Sequence, residues 1–323
     1  MINVKISGIG AYLPPLVVTN HKISEFVETN DEWIVQRTGV SERRISEGEN
    51  TSDIATKAAK LALERAGIDA KDLDLIIVAT ISPDMFIPSV ACLVQSNLDA
   101  DKAACFDISV ACSGFVYGLE IANGLMQTMN YKNALVIGAE VLSKVTDWTD
   151  RGTCILFGDG AGAAVIKQSE TKGIIKSYLR ADGKKGNALT IGGPDIDTPF
   201  SKEKIVKDKY IKMNGREVFK FAVGAIEEAI NEVIKDTNIS LEEVKYIVPH
   251  QANSRIIELA AEKLNLNIDK FYMNLDKVAN TSSATVPIAL NEMYEKGLLN
   301  KGDKIILVAF GGGLTYASTL IVW

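Results

Sequence analysis

LERAGIDAKDLDLIIVAT, residues 63–80, has the same grammar as IKDTNISLEEVKYIVPH, residues 234–250. Each closes a helix-like stretch, passes through a short turn with acidic residues and enters an apolar run of strand length. Setting Ile68 on Ile239 and Leu73 on Val244 gives a displacement of 171 both times. About the same displacement lays NALVIGAE (133–140) beside KIILVAFG (304–311), while FDISVAC, ending at Cys112, faces NLDKVAN, ending at Asn280, at 168. One such match arises by chance in any chain that alternates strands and helices; four in one order at nearly one displacement indicate an internal duplication. Strand-length apolar runs alternate with amphipathic helical stretches elsewhere too. The expectation is therefore an α/β protein with substantial parallel pairing, in two similar halves of about 1–170 and 171–323.

Composition narrows the function classes. A chain of 323 residues with 47% hydrophobic and 24% charged side chains has enough apolar material for one large core or two fused ones. MINVKISGIGAYLPP alternates like a strand and lacks the basic and apolar regions of a signal peptide, so none is expected. No apolar run approaches the roughly 18 residues of a membrane span. Cys92, Cys105, Cys112 and Cys154 form no CxxC pair, and reduced thiols in a cytoplasm are expected. The only histidines are His21 and His250, and no cluster with metal-ligand spacing exists, so no metal and no cofactor are expected. A net charge of −6 argues against nucleic acid, and any acidic partner has to meet a local basic patch.

The duplication bears on CFDISVACSGFVYGLE, residues 105–120. Cys112 is either a small buried core residue or a nucleophile presented at a helix N-terminus. After it, Phe115, Leu119, Ala122 and Met126 recur at a helical period, so Cys112 sits at a strand-to-helix elbow. There the helix dipole and unpaired N–H groups would lower the thiol pKa. His250 closes the strand that echoes the one ending at Ala79, and Asn280 stands before another helical stretch. Alone, His250 reads as a satisfied core histidine and Asn280 as an N-cap. Together the three are expected at strand C-termini, the end of an open α/β sheet where ligands bind. Cys, His and Asn also suggest a papain-like protease, but no CGSCW-type run surrounds Cys112. GIGAYLP and GDGAGAAV do not complete a dinucleotide-binding GxGxxG; the second reads as a tight turn into a strand, with Asp159 structural.

DISVACSGF, VPHQAN, NTSSATVP, TDRGT, FGDGAGAAV and FGGGLT, in that set and spread over the chain from about residue 4 to the C-terminus, closely resemble the β-ketoacyl-acyl-carrier-protein synthase III family. The resemblance implies a thiolase-like fold, two duplicated α/β halves in a layered α-β-α-β-α architecture. It implies that Cys112 takes an acyl group from a short acyl-CoA primer, acetyl-CoA being the expected one, and that malonyl-acyl carrier protein then loses CO2 and attacks that group to give a 3-ketoacyl product, initiating fatty-acid synthesis. His250 and Asn280 would stabilise the enolate, and the backbone N–H groups of Cys112 and Gly312 would hold the other oxyanion. The run Gly311, Gly312, Gly313 fits a site where backbone approaches closely. An asparagine rather than a second histidine points to the CoA-primed branch.

The same resemblance assigns the partners. Trp33 would stack on the CoA adenine with Arg151 on the other face, Arg37 would meet CoA phosphates, and Gly215, Phe219 and Asn253 would line the pantetheine tunnel. From the residues alone, Trp33 and Arg37 are four apart on a helical stretch and share a face. Lys212, Arg216 and Lys220 recur every four residues as one positive helix face; with Arg255 nearby they form a candidate landing site for the acidic carrier protein. Phe86 and Ile87 of SPDMFIPSV match a loop that reaches the primer pocket of the partner subunit in the family's homodimers, which leaves the accepted chain length open. Ser113 and Tyr316 stand where many relatives carry alanine and tryptophan. Two other readings stay open: a paralogue using another acyl acceptor, in secondary-metabolite or biotin-precursor synthesis, and a non-catalytic partner of a condensing enzyme.

Overall fold

The computed structural model describes residues 2–202 and 208–323. Two mixed sheets carry the molecule. The first runs in the order Asn3–Tyr12, Asp159–Ser169, Asn133–Val141, Leu75–Ala79, Ala104–Ile108. The second runs Ile174–Ala181, Thr315–Val322, Lys304–Gly311, Val244–Pro249. Asn133 to Lys304 is a step of 171, as the sequence comparison had it, and Asn3 to Ile174 is another, so the duplication extends to a strand pair that the comparison did not use. The fifth strand of the second sheet shrinks to one bridge between Ile247 and Phe271.

Parallel pairing is confined to one flank of each sheet. Leu75–Ala79 pairs parallel with both neighbours, and Val244–Pro249 pairs parallel with Lys304–Gly311. The other flank is antiparallel. Lys304–Gly311 turns through only three residues into Thr315–Val322, and so short a connection permits no parallel return. The two glycine-rich stretches set aside as dinucleotide loops are strands that pair with each other, Gly10 opposite Ala163 and Ala11 opposite Gly162.

Five layers follow from which faces are apolar. Leu75 and Ile77 point inward and Ile76 and Val78 outward, the period of two that a strand imposes. Because both faces are covered, these strands read as unbroken apolar runs. Outside the first sheet, Thr51–Ala66 places Ile54, Ala58 and Ala62 against Ile76 and Val78. Its start is fixed by a capping box, Asn50 N–H donating to Asp53 Oδ2 at 2.8 Å. Between the sheets lie Gly114–Met129 and Thr285–Glu295, whose Phe115, Leu119, Val286 and Leu290 meet Ile77 and Val136 on one side and Ile305 and Leu307 on the other. Outside the second sheet, Gly215–Ile234 and Ser254–Lys263 bring Ile226, Ile230 and Ile257 onto Ile306 and Val308. The strand ends and the helix starts of the middle layer meet at one place, where Cys112, His250 and Asn280 stand.

Candidate active site

The strand Ala104–Ile108 passes through Ser109 and Val110 into a single 3-10 turn, Ala111–Ser113, and then into Gly114–Met129. Ala111 takes a left-handed φ of 45°, which bends the chain sharply enough to set Cys112 at the elbow. In the second half Ser282 does the same at φ 50°, ahead of Ser282–Ala284 and Thr285–Glu295. The two elbows are 171 apart, so the structural duplicate of Cys112 is Ser283, and the pairing of Cys112 with Asn280 is corrected by three residues. Where the first half has a fifth strand, the second has the Ile247–Phe271 bridge followed by a one-turn helix, Leu275–Val278. Asn280 is therefore not at a strand C-terminus, as expected, but is anchored by a short bridge in which its N–H donates to Leu156 O at 3.0 Å and Gly158 N–H donates to Asn280 O at 3.0 Å.

A cavity of about 760 Å³ opens onto this junction. Of the residues singled out in the sequence, Cys112, His250, Asn280, Gly312, Trp33, Gly215, Phe219, Asn253 and Phe86 line it. Arg37, Arg151, Ile87, Lys212, Arg216, Lys220 and Arg255 do not.

Cys112 is buried, and burial pushes its thiol up to about 12; the Ser282 hydroxyl draws it down and Glu140 acts in the raising direction. This reverses the expectation of a lowered thiol pKa. A thiolate in this pocket loses its water, and that loss outweighs what the helix start supplies. His250, 1% exposed, is depressed to about 3 by burial, so its imidazole is neutral at every physiological pH. Its ring meets Phe310 edge to face at 5.1 Å, and its Nδ1 lies 2.7 Å from Thr285 Oγ1. The loop after it is fixed by Gln251, whose Nε2 donates to Pro249 O and Tyr272 O while Oε1 accepts from Asn274 N–H. Asn280 Oδ1 accepts from Ser282 N–H at 2.8 Å, which settles the orientation of the amide and leaves Nδ2 as the donor for a ligand.

The glycine run is less uniform than expected. A Cβ on Gly311 would lie 2.6 Å from Cys112 N, so that strand end abuts the Cys112 backbone. On Gly312 it would meet nothing nearer than Ala111 Cβ at 3.4 Å, an ordinary contact. The close approach belongs to Gly311. Thr315 Oγ1 then ties the turn to the elbow, lying 3.1 Å from both Ser113 Oγ and Gly312 O.

At the outer end, Trp33 lies on Asp31–Thr38, capped by Asn30. The Arg151 guanidinium sits 4.9 Å from the Trp33 ring centre and that of Arg37 at 5.7 Å, so both cations cover the indole. Asn253 caps Ser254–Lys263 and donates from Nδ2 to Arg37 O at 3.0 Å, joining the Trp33 helix to the His250 loop. The expected helix face of three cations is corrected. Lys212 lies in the short strand Lys212–Met213, ahead of the helix that begins at Gly215, and is paired with Asp208 at 3.0 Å and Asp147 at 3.6 Å. Arg216 and Lys220 are on the helix and, like Arg255, exposed.

Sequence reading missed Glu140 and Thr285. Glu140 is fully buried and accepts from Ser82 Oγ at 2.6 Å and from Ile81 N–H and Thr80 Oγ1 at 3.1 Å. A carboxylate inside the apolar run NALVIGAEV is the signal that pointed to it. Thr285 closes NTSSAT, a polar run whose residues are all buried.

Residues 106–183 match the family described as 3-oxoacyl-[acyl-carrier-protein (ACP)] synthase III, and residues 234–323 match its C-terminal region. The chain is 81% identical to a β-ketoacyl-[acyl-carrier-protein] synthase III of Clostridium beijerinckii, with all of both chains covered. It is 56% identical to one from Clostridium botulinum over 100% of this chain and 99% of the relative. The crystal structure of 3-oxoacyl-[acyl-carrier-protein] synthase III from Aquifex aeolicus superposes with a TM-score of 0.93 at 46% identity, covering 99% of this chain and 100% of that one.

Proposed function

Because the chain belongs to the 3-oxoacyl-[acyl-carrier-protein] synthase III family, we propose that its cavity carries out the family's condensation with Cys112, His250 and Asn280 in distinct roles. It is a condensing acyltransferase with a thiolase-like fold. It joins an acyl-CoA primer to malonyl-acyl carrier protein with loss of CO2, giving 3-ketoacyl-acyl carrier protein at the start of fatty-acid synthesis.

In the first stage Cys112 sulfur attacks the primer thioester. The C–S bond to CoA breaks, and the thiol proton leaves with the CoA thiolate, so the exchange is neutral overall. A thiol held near 12 is protonated at rest, and its proton has to depart as the sulfur attacks. In the second stage malonyl-acyl carrier protein loses CO2 and leaves a negative charge on its thioester oxygen. His250 and Asn280 donate to that oxygen. Support comes from the depressed imidazole, which suits a donor rather than a base, and from the Asn280 amide, whose oxygen is already occupied. The enolate carbon attacks the acyl carbonyl, whose oxygen is held by the N–H groups of Cys112 and Gly312, and Cys112 sulfur is expelled. No metal or cofactor enters these steps.

The single observation that carries this reading is that Cys112, His250 and Asn280, distant in sequence, open on one cavity. Exposure to acetyl-CoA followed by intact mass measurement tests it: one acetyl group on Cys112 is expected, and turnover with an unmodified Cys112 refutes it. Product analysis with a panel of primers and malonyl-acyl carrier protein separates it from a paralogue with another acceptor.

CoA would lie along the cavity past Gly215, Phe219 and Asn253, with its adenine on Trp33. At 4.9 Å Arg151 leaves no room for a ring between them, so binding requires that guanidinium to swing aside and close over the adenine. Arg37 would meet the phosphates. The carrier protein would land on Arg216, Lys220 and Arg255, with Lys212 at the edge. We further place the enzyme in the cytoplasm as a homodimer in which Phe86 and Ile87 reach the partner's primer pocket. Support for the dimer is that Met85, Phe86 and Ile87 are 50%, 79% and 87% exposed in one chain, an apolar tip that water disfavours. Among the described residues no helix is long and apolar enough to cross a membrane.

A further inference from the structure

The donor role given to His250 places a demand on the other side of its ring. A neutral imidazole carries one N–H, and which nitrogen holds it is set by the hydrogen bond that the other makes. Among the described residues His250 Nδ1 has one hydrogen-bond partner, Thr285 Oγ1 at 2.7 Å, and both residues are 1% exposed. The Thr285 hydroxyl has a single proton and two acceptors within reach: His250 Nδ1, and Ser282 O at 3.0 Å. If the proton goes to Ser282 O, the hydroxyl accepts from Nδ1–H. Nε2 is then a bare lone pair, repelled by an enolate oxygen. If it goes to Nδ1, the ring proton sits on Nε2 and can be donated. Two observations favour the second arrangement. The contact with Nδ1 is the shorter, and Ser282 O already accepts the backbone N–H of Thr285, so it is not left unsatisfied.

We infer that Thr285 is a positioning residue that donates its hydroxyl proton to His250 Nδ1 and so holds His250 in the Nε2–H form that decarboxylation needs. The inference rests on the donor role proposed for His250, and the two are tested separately. The elbow makes the arrangement possible. The left-handed turn at Ser282 starts the helix so that its first side chain meets the ring that ends the strand Val244–Pro249.

The chain has only two histidines, His21 and His250, so long-range proton–nitrogen correlation on protein labelled with 15N-histidine reads the tautomer directly. The expected pattern for His250 is Nε2–H with Nδ1 a hydrogen-bonded acceptor. An Nδ1–H pattern in the wild-type protein overturns the inference whatever any variant does. Thr285→Val keeps the shape and removes the donor. Release of CO2 from malonyl-acyl carrier protein is expected to fall about three- to tenfold in kcat, with KM and the rate of Cys112 acetylation little changed, and Thr285→Ser restores it. Decarboxylation by Thr285→Val at the wild-type rate overturns the positioning role. If His250→Ala decarboxylates normally, the donor role itself fails, and the wild-type tautomer still decides the claim about Thr285.

Discussion

Gly311→Ala is the substitution whose consequence the structure states most sharply. The added methyl carbon would sit 2.6 Å from Cys112 N, 3.0 Å from Cys112 Cβ and 3.2 Å from Cys112 Cα. All three are nearer than an ordinary carbon contact, and two are backbone atoms that no rotamer change can move aside. Relief requires a separation of about 0.8 Å between strand end and elbow to reach the 3.4 Å at which contact becomes ordinary. The strand is the stiffer side, paired with Thr315–Val322 along its whole length, so Cys112 gives way. A displacement near 1 Å at reacting atoms costs on the order of 10²-fold in rate, and overpacking of this kind costs about 1–3 kcal/mol in stability. Gly312→Ala is the internal control, since its methyl group finds open contact distances. Rapid quench after mixing with acetyl-CoA, read by intact mass, measures acetyl-Cys112 formation, and thermal melts confirm that both variants are folded. The expected result is a loss near 100-fold for Gly311→Ala and less than about tenfold for Gly312→Ala. Acetylation of Gly311→Ala within threefold of wild type, or equal losses in both, refutes the reasoning.

Because burial holds the Cys112 thiol near 12, its alkylation by iodoacetamide is expected to rise about tenfold per pH unit from 7 to 10 without a plateau; a plateau near 8 shows a thiolate stabilised by the helix start instead. For His250 the folded pKa, about 3, lies below the unfolded value near 6.5, so its contribution to stability is full above 6.5 and is lost as pH falls toward 3. The loss is about 2 kcal/mol at pH 5 and about 5 kcal/mol below pH 3; chemical denaturation against pH reads it, and a His250→Gln protein that keeps the full wild-type slope removes His250 as the cause. Reversing the charge at Arg216 and Lys220 together is expected to raise KM for malonyl-acyl carrier protein several-fold and leave that for acyl-CoA unchanged, an effect that shrinks with added salt; equal rises in both constants argue against a carrier-protein contact.

The parts of the fold that repeat were legible because duplication leaves a phase in the sequence. The 171-residue displacement located His250 relative to Ala79 and matched the central strands. FDISVAC was laid on NLDKVAN at 168 instead, because the second half has a one-turn helix, Leu275–Val278, where the first has its fifth strand, and so offers no strand pattern to match. Carried to Cys112, the displacement of 171 lands on Ser283, the residue that follows the left-handed turn of the second elbow. Other features depend on burial from several directions at once. Cys112 stands where local sequence argues for a lowered pKa, and only the closed cavity shows that desolvation wins. Lys212 fell in phase with a helix whose start at Gly215 excludes it. Thr285 and Glu140 were open to suspicion as polar residues in buried company, but their partners come from the other half of the chain or from other strands.

In the corrected register the two elbows differ in what the neighbouring strand end sets beside them. Gly311, which abuts Cys112, is displaced by 171 from Glu140, and Glu140 is the residue that faces Ser283 at the equivalent elbow. In one half the strand ends without a side chain, and its backbone packs directly against Cys112 at the wall of the cavity. In the other the strand end carries a carboxyl group whose oxygens lie within 2.6–3.1 Å of Ser82, Ile81, Thr80 and Ser283, and Ser283 Oγ also lies 2.8 Å from Ala79 O. That cluster satisfies Ser283 Oγ and fastens the start of the helix Thr285–Glu295 to the first sheet. The Cys112 elbow therefore has a counterpart tied to the first sheet, and the helix that brings Thr285 to His250 is held at its start by the same carboxyl group. Burial raises the Glu140 pKa, and the hydrogen bonds it accepts from Ser82, Ile81 and Thr80 oppose that shift. The second elbow thus meets a buried carboxyl group where the first meets Gly311, a difference of glycine against glutamate at matching strand positions.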